Sequence, residues 1–173
     1  MTFYSEGKLQ IDSFYVINKS NFTKAKEVFS TLNWKQRDDK TRNILVFINP
    51  ISGQKNSKRL FKSVLEPMLD FSSIDYEFYE TESAQFIQEF FQYVDVVTMP
   101  YTDFVVIGGD GVFTQLLNTI MTHKHKNRLI KVPIGIMPGG SQNAIWCDLG
   151  GKLPLKAALH IIRGEIVKGD MFE

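Results

Sequence analysis

The sequence predicts an α/β fold: a three-layer, doubly wound, Rossmann-like and mostly parallel sheet with helices on both faces. Three observations predict it. From residue 44 onward, short β-prone apolar runs alternate with stretches whose apolar residues recur at helical spacing. The runs at 44–48 (ILVFI) and 104–107 (FVVI) are continuous rather than alternating, as strands covered on both faces must be. Three of the strands are followed by loops rich in Gly, Ser and Asn, at the end of an open parallel sheet where ligands bind.

Taken in order, residues 8–17 read as a strand. Phe22, Ala25, Val28, Phe29 and Leu32 then fall at helical spacing after Ser20, a candidate N-cap. The charged run at 34–43 (WKQRDDKTRN) has no apolar periodicity and reads as a linker. The expected organisation is a strand-helix appendage over 1–34, a linker over 35–43 and a main domain over 44–173. In the main domain the first strand is 44–48, and a helix follows with Leu60, Phe61, Val64, Leu65, Met68 and Leu69 on one stripe. Residues 74–79 are the next strand and 83–94 the next helix, burying Phe86, Ile87, Phe90, Phe91 and Val94. Then come strand 104–107, helix 112–121 and strand 132–137. Helices at 143–148 and 154–163 and a short strand at Ile166 complete the pattern.

Length and composition set the limits. A chain of 173 residues, 43% hydrophobic, makes one packed domain with small appendages. The net charge of +1 provides no field for nucleic acid, so no nucleic-acid partner is expected. A single cysteine, Cys147, excludes an internal disulfide and suits a reducing compartment. The first thirty residues hold no signal-peptide core, and no run approaches eighteen apolar residues. The expected location is cytoplasmic, with any membrane contact peripheral. Charge is uneven: residues 63–123 carry ten acids and no Lys or Arg, whereas 124–168 carry eight bases and two acids. That basic third suits phosphates or anionic headgroups, or is simply a solvated surface.

The chemistry-bearing loops are Asn49, Pro50, Ile51, Ser52, Gly53, Gln54, Lys55, Asn56 and Ser57 after the first strand; Gly108, Gly109, Asp110 and Gly111 after the third; and Pro138, Gly139, Gly140, Ser141, Gln142 and Asn143 after the fourth. A phosphate chain needs backbone N–H donors within about 3 Å. Residues without a Cβ allow that approach and are expected to take positive φ. Each loop also opens a predicted helix, whose unpaired N–H groups favour an anion. Singly, each loop reads equally as an ordinary strand-to-helix turn. The chain has neither a Walker A pattern nor a Gly-x-Gly-x-x-Gly fingerprint.

Asp110 stands between glycines at a helix start. There a carboxylate repels a phosphate unless it binds a cation or takes a proton, and both uses suit phosphoryl transfer. The alternative is a plain N-cap. His123, His125 and His160 lack partners at zinc spacing, and no direct protein metal site is expected. Trp34, Trp146 and Cys147 read as packing residues.

NPISG at 49–53, GGDG at 108–111 with Asn118 seven residues on, and PGGSQN at 138–143 together resemble the catalytic domain of the diacylglycerol, sphingosine and ceramide lipid kinases. The resemblance covers about residue 44 to the C-terminus. GGDG alone is shared with phosphofructokinases and NAD kinases. Within the group, ILVFINPISGQKNSKRLF and ALHIIRGEIVKGD look most like ceramide kinases. The appendage before the linker would then be the tail of a pleckstrin-like domain.

The resemblance implies an ATP- and Mg²⁺-dependent kinase acting on a primary hydroxyl of a sphingoid lipid, ceramide or diacylglycerol, with peripheral membrane contact in the full protein. It makes Asp110 the general base or metal-side carboxylate. It places Asn49, Ser52, Gly53, Lys55, Thr81, Gly108, Gly109, Gly111, Gln115, Gly140, Ser141 and Asn143 around the nucleotide, and Asp170 near the lipid at the crossing to a second domain. The family's mostly β second domain would follow Glu173, so the chain reads as a fragment, the nucleotide-binding half.

Gln115 stands in place of a usual glutamate, Ile51 in place of a phosphate-binding arginine of some members, Gln142 in place of a frequent glycine, and Phe86 in place of a sphingosine-kinase histidine. These departures keep two other readings open: a non-catalytic nucleotide- or lipid-binding module, and an NAD-kinase-like enzyme.

Overall fold

The computed structural model describes residues 2–5, 8–11, 41–52, 55–140 and 153–166. The chain divides into two compact units, Met1–Trp34 and Lys35–Glu173. In the first, β1 (Thr2–Ser5) and β2 (Lys8–Ile11) pair antiparallel, with Thr2 opposite Ile11 and Ser5 opposite Lys8. The strand expected over 8–17 is present in its first four residues, and its partner β1 carried no recognised signal. Residues 12–17 and the helix expected over 22–32 lie outside the described residues.

The second unit is built on four parallel strands, β3 (Asn43–Ile48), β4 (Asp75–Glu80), β5 (Asp103–Gly108) and β6 (Ile134–Pro138), in the order β4-β3-β5-β6. Continuous apolar runs become the central strands because both of their faces are covered. Ile44 to Ile48 on β3 and Phe104 to Ile107 on β5 are buried. The edge strand β4 (DYEFYE) is more polar and partly exposed.

A long helical segment follows β3: α1 (Ser57–Leu60), a π-helical turn over Phe61–Leu65, and α2 (Glu66–Phe71) run on without a break. Pro67, at the start of α2, supplies a reason for the wider turn, since it lacks the N–H that an α-helix would bond to the Ser63 carbonyl. Of the expected stripe, Phe61, Leu65 and Leu69 are buried; Leu60, Val64 and Met68 are half-buried at its margins. Helix α3 (Phe86–Tyr93) follows β4 and buries Ile87 and Phe91, with Phe86, Phe90 and Val94 half-covered. Then come α4 (Asp110–Thr122), the short α5 (Lys126–Leu129) and α6 (Pro154–Arg163). The helix expected over 143–148 lies outside the described residues. Ile166 is not in a strand, and over half of its surface is exposed, contrary to expectation. Ile166 and Val167 make a run of only two apolar residues between Glu165 and Lys168, too short to specify a strand by itself.

The two faces follow from strand alternation. On β4, Phe78 packs on Phe61 of the π-turn, with ring centroids 4.8 Å apart, and its neighbour Tyr79 packs on Phe90 of α3 at 4.9 Å. The segment α1–α2 shares its face with α6, while α3 and α4 lie together on the other. Phe47 meets Phe90 edge-on at 5.3 Å, and Phe91 meets Phe104 edge-on at 5.4 Å. Gly135 lets α6 sit close on the sheet, because a Cβ there would come within 2.9 Å of Ile161 Cγ1. Among the described residues, no helix is long and apolar enough to cross a membrane.

The amino ends of β3 and β5 are held by a buried ion pair that the sequence reading did not single out. Arg42 Nη2 and Nε donate to the two Asp103 carboxylate oxygens at 3.1 and 3.2 Å, and Arg42 Nη1 donates to the Ile162 carbonyl at 2.8 Å. The Thr102 hydroxyl donates to Asp103 at 2.6 Å and accepts from the Asn43 N–H at 3.0 Å. One fork thus ties two strands to the last turn of α6. Removing one partner strands a buried charge, so Arg42→Ala or Asp103→Ala is expected to lower unfolding free energy by about 3–5 kcal/mol. The apolar pair Arg42→Met/Asp103→Leu should recover most of that loss. Urea denaturation checks both, and a single variant within about 1 kcal/mol of wild type would show the pair to be incidental.

Candidate active site

From β3 the chain crosses outward to β4, then returns past β3 to β5, so connections leave β3 and β5 in opposite directions. Such a reversal opens a crevice outside the carboxyl ends of the two strands. The parallel ladder runs on beyond the strands at this end. The Asn49 N–H donates to the Ile107 carbonyl at 2.9 Å, and the Thr81 N–H to the Ile48 carbonyl at 2.8 Å. The Gly139 and Gly140 N–H groups share the Gly108 carbonyl at 2.9 and 3.1 Å. The loops after all four strands therefore start side by side.

In the first loop, Asn49 Oδ1 accepts from the Ile51 N–H at 3.0 Å, which fixes the carboxamide in an Asx turn. The Asn49 NH₂ makes no hydrogen bond among the described residues. Ser52 is half-buried, and its carbonyl accepts from the Lys55 N–H at 3.0 Å. Lys55 is exposed and left-handed, with φ 58°, a conformation that costs a residue with a Cβ about 1–2 kcal/mol. Ile51 is 71% exposed. Gly53 lies outside the described residues.

Ser57, at the start of α1, is fully buried, and its hydroxyl has no hydrogen-bond partner among the described residues. The sequence places it only as the last residue of the first loop and not among the site residues, although a signal for its burial existed: Ser57, Phe61, Leu65 and Leu69 are spaced by four, which puts a polar residue on the buried stripe.

The second loop is marked by Thr81. It is buried, and its hydroxyl reaches the same Ile48 carbonyl as its N–H, at a long 3.4 Å. Beside it, Glu80 pairs with Lys58 of α1 at 2.8 Å.

In the third loop, Gly108 ends β5. A Cβ there would stand 2.7 Å from Val112 Cγ1, 3.3 Å from Asn49 Cβ and 3.5 Å from Ser52 Cβ, so this glycine lets the first and third loops touch. Gly109 takes the N-cap position of α4 with φ −92° and ψ −176°, and Asp110 opens the helix. Asp110 is therefore not the plain N-cap; it is half-buried in the first turn, neither sealed in apolar packing nor free of partners. Gly111 faces open space. Gln115 lies half-buried one turn below Gly111.

The fourth loop abuts the first helix. A Cβ on Gly139 would lie 2.5 Å from Ser57 Oγ and 3.4 Å from the Gly108 nitrogen. Gly140 is half-buried beside it. Ser141, Gln142, Asn143 and Asp170 lie outside the described residues. The expected role of positive φ is corrected: among the described residues only Gly164, at the end of α6, is a glycine with positive φ. Gly108 and Gly139 are needed where the loops approach one another, and the left-handed turn falls to Lys55.

The structure thus brings Asn49, Ser52, Thr81, Gly108, Gly109, Asp110, Gly111 and Gly140 to one rim, with Lys55 at its exposed margin. Among the described residues, no group of three His, Cys, Asp or Glu side chains could hold a metal. His123 is engaged elsewhere, its Nε2 lying 3.2 Å from the Phe91 carbonyl.

Comparison with known proteins agrees with this architecture. Residues 43–173 match the model of the diacylglycerol kinase catalytic domain. Sphingoid long-chain bases kinase 1 of Arabidopsis thaliana is 34% identical over 130 residues, which cover 75% of this chain and 17% of that protein. Mouse ceramide kinase is 30% identical over 143 residues, covering 75% of this chain and 27% of its own length. The chain therefore spans well under a third of these relatives. A crystal structure of a diacylglycerol kinase from Bacillus anthracis strain Sterne superposes with a TM-score of 0.56 at 20% identity, over 72% of this chain and 40% of that one. By its matched residues and its parallel sheet with a glycine-lined rim, the chain belongs to the diacylglycerol kinase catalytic domain family.

Proposed function

We propose that this chain is the nucleotide-binding part of an ATP-dependent lipid kinase that transfers the γ-phosphoryl group to a primary hydroxyl of a sphingoid base, ceramide or diacylglycerol. The observation that carries the reading is the meeting of the Asn49, Gly108 and Gly139 loops at the switch point, with the half-buried Asp110 in the first turn of α4 among them. In this reading the Asn49 carboxamide, the N–H groups around Gly109 and Gly111, Thr81 and Gly140 orient the phosphate chain, and Lys55 supplies a mobile positive charge. Gly53, Gln115, Ser141 and Asn143 complete the pocket, and Asp170 stands toward the lipid. Mg²⁺ would be held by the phosphate oxygens and would neutralise charge on the transferred group. Asp110 takes the proton of the attacking hydroxyl.

The orphaned Ser57 hydroxyl fits the same reading. An unsatisfied buried hydroxyl costs about 1–3 kcal/mol, and a phosphate oxygen reaching the Gly139 turn would accept its hydrogen bond. Ser57 and Gly139 together set how closely the fourth loop approaches α1.

A second reading, a nucleotide-binding module without transfer, is favoured by Ile51. It is 71% exposed in the loop where some members of the family carry a cation.

Three outcomes are expected. Asp110→Asn in the complete gene product should lower turnover by about 10²–10⁴ while sparing nucleotide binding; turnover like that of wild type would refute the role. Gly139→Ala should weaken ATP binding by roughly tenfold, and adding Ser57→Gly should restore it, whereas additive losses in calorimetric titration would exclude their contact as the cause. Labelled phosphate should pass from ATP to one of sphingosine, ceramide or diacylglycerol. Binding without transfer to any of them would establish the second reading, and labelled NAD would establish an NAD-kinase-like enzyme.

A further inference from the structure

The connections at the amino ends of β5 and β6 form a surface of their own. Residues 124–131 (KHKNRLIK) place Lys124, Lys126, Arg128 and Lys131 on the turn and short helix α5, all exposed and with no acid in the run. None of the four makes an ion pair or side-chain hydrogen bond among the described residues, whereas the exposed cations Lys58 and Lys62 each have a carboxylate partner. Exposed apolar side chains gather at the same end: Ile130 within the run, Val97 and Tyr93 before β5, and Ile166 after α6.

Two open clefts flank the run. One, of about 370 Å³, is lined by Arg128, Lys131, Met99, Val132, Pro133 and Ile166 among others; the second holds Lys124 beside Tyr93 and Asp95. The acids facing this end are few and engaged. Asp95 accepts from the Val97 N–H and the Thr98 hydroxyl and also attracts Lys124 and His125, Glu77 is bound by the Tyr101 hydroxyl, and Glu165 pairs with His160 and Arg163.

We propose that this face docks the protein on an anionic membrane, with Lys124, Lys126, Arg128 and Lys131 against the headgroups and Ile130 inserted between them. Cations without ion-paired or hydrogen-bonded carboxylates beside exposed apolar side chains match the chemistry of a charged lipid surface, which attracts juxtaposed Lys and Arg while its headgroup layer accepts apolar side chains. An acidic polypeptide would satisfy the charges but leave Ile130 and Val97 without a role. The choice of membrane as occupant rests on the lipid-kinase reading. The surface lies at the opposite end of the strands from the glycine loops, about 20 Å away along five or six residues. It therefore anchors the chain rather than presenting the reacting hydroxyl.

The test is cosedimentation of the full chain, without nucleotide, with vesicles of phosphatidylcholine alone or with added phosphatidylserine. Wild type is expected to bind only the phosphatidylserine vesicles, and more weakly as salt rises. Replacing all four cations with glutamine should weaken binding by roughly 600-fold, at about fivefold per cation. Ile130→Asp should weaken it further while leaving the melting temperature unchanged.

Failure of wild type to bind phosphatidylserine vesicles, or equal binding by the four-glutamine variant, would overturn the proposal. Tight binding of polyglutamate that is indifferent to Ile130→Asp would assign the surface to an acidic protein and overturn it as well. Phosphoryl transfer to detergent-dispersed lipid, measured in parallel, reports on the kinase reading separately, since it needs no membrane.

Discussion

The arrangement at the rim depends on the parallel ladder continuing past the ends of its strands. Asn49 bonds to Ile107, Thr81 to Ile48, and both Gly139 and Gly140 to Gly108. Each bond takes a loop residue one step beyond regular structure and sets it beside the start of a neighbouring loop. Because parallel strands run in register, with Ile48 opposite both Glu80 and Ile107 and Gly108 opposite Pro138, their carboxyl ends finish together. Four loops distant in sequence are thereby made to start side by side, fixed by the backbone ladder itself. Preorganisation of that kind is what charge-stabilising sites require.

Close approach, rather than unusual dihedral angles, explains Gly108 and Gly139. Gly108 removes the side chain that would collide with Val112 and crowd Asn49, and Gly139 removes the one that would strike Ser57. The same economy of space produces the buried Ser57 hydroxyl, which sits on the apolar stripe of the first helical segment and finds no partner among the described residues. Strain is carried instead by Lys55, whose left-handed backbone lets the loop double back onto Ser52 while its side chain stays in solvent.

The two ends of the sheet have divided roles. At the carboxyl ends the polar groups are backbone amides, hydroxyls, the Asn49 carboxamide, the Glu80–Lys58 pair and the Asp110 carboxylate in the loop that opens α4. At the amino ends the buried Arg42–Asp103 fork locks β3, β5 and α6 together, and around it the surface is cationic and apolar. The fork leaves no uncompensated charge inside, so the exposed cations of residues 124–131 act outward. The acidic stretch from Ser63 to His123 includes structural partners: Asp103 holds Arg42, Glu80 holds Lys58 and Glu66 holds Lys62.

Sequence alone determined the alternation of strand and helix, the central strands at 44–48 and 104–107, and the loops that carry the polar rim. These are local or periodic properties: a fully buried strand must be apolar throughout, and an amphipathic helix must repeat near every fourth residue. Helix 154–163 was legible to the residue because Pro154 starts it and Gly164 ends it in the left-handed conformation. The π-turn, the hairpin partner Thr2–Ser5 and the short helix Lys126–Leu129 were not legible, since each is shorter than a window in which periodicity can be read.

Only the tertiary structure decided which residues meet. Strand order β4-β3-β5-β6 brought Gly108 against Asn49, fifty-nine positions away in the chain. It also set Gly139 against Ser57 and Arg42 against Asp103, contacts for which spacing along the chain carries no signal. Composition shows that a glycine, a serine or an arginine is present; whether it is needed depends on the atom that the fold places opposite it.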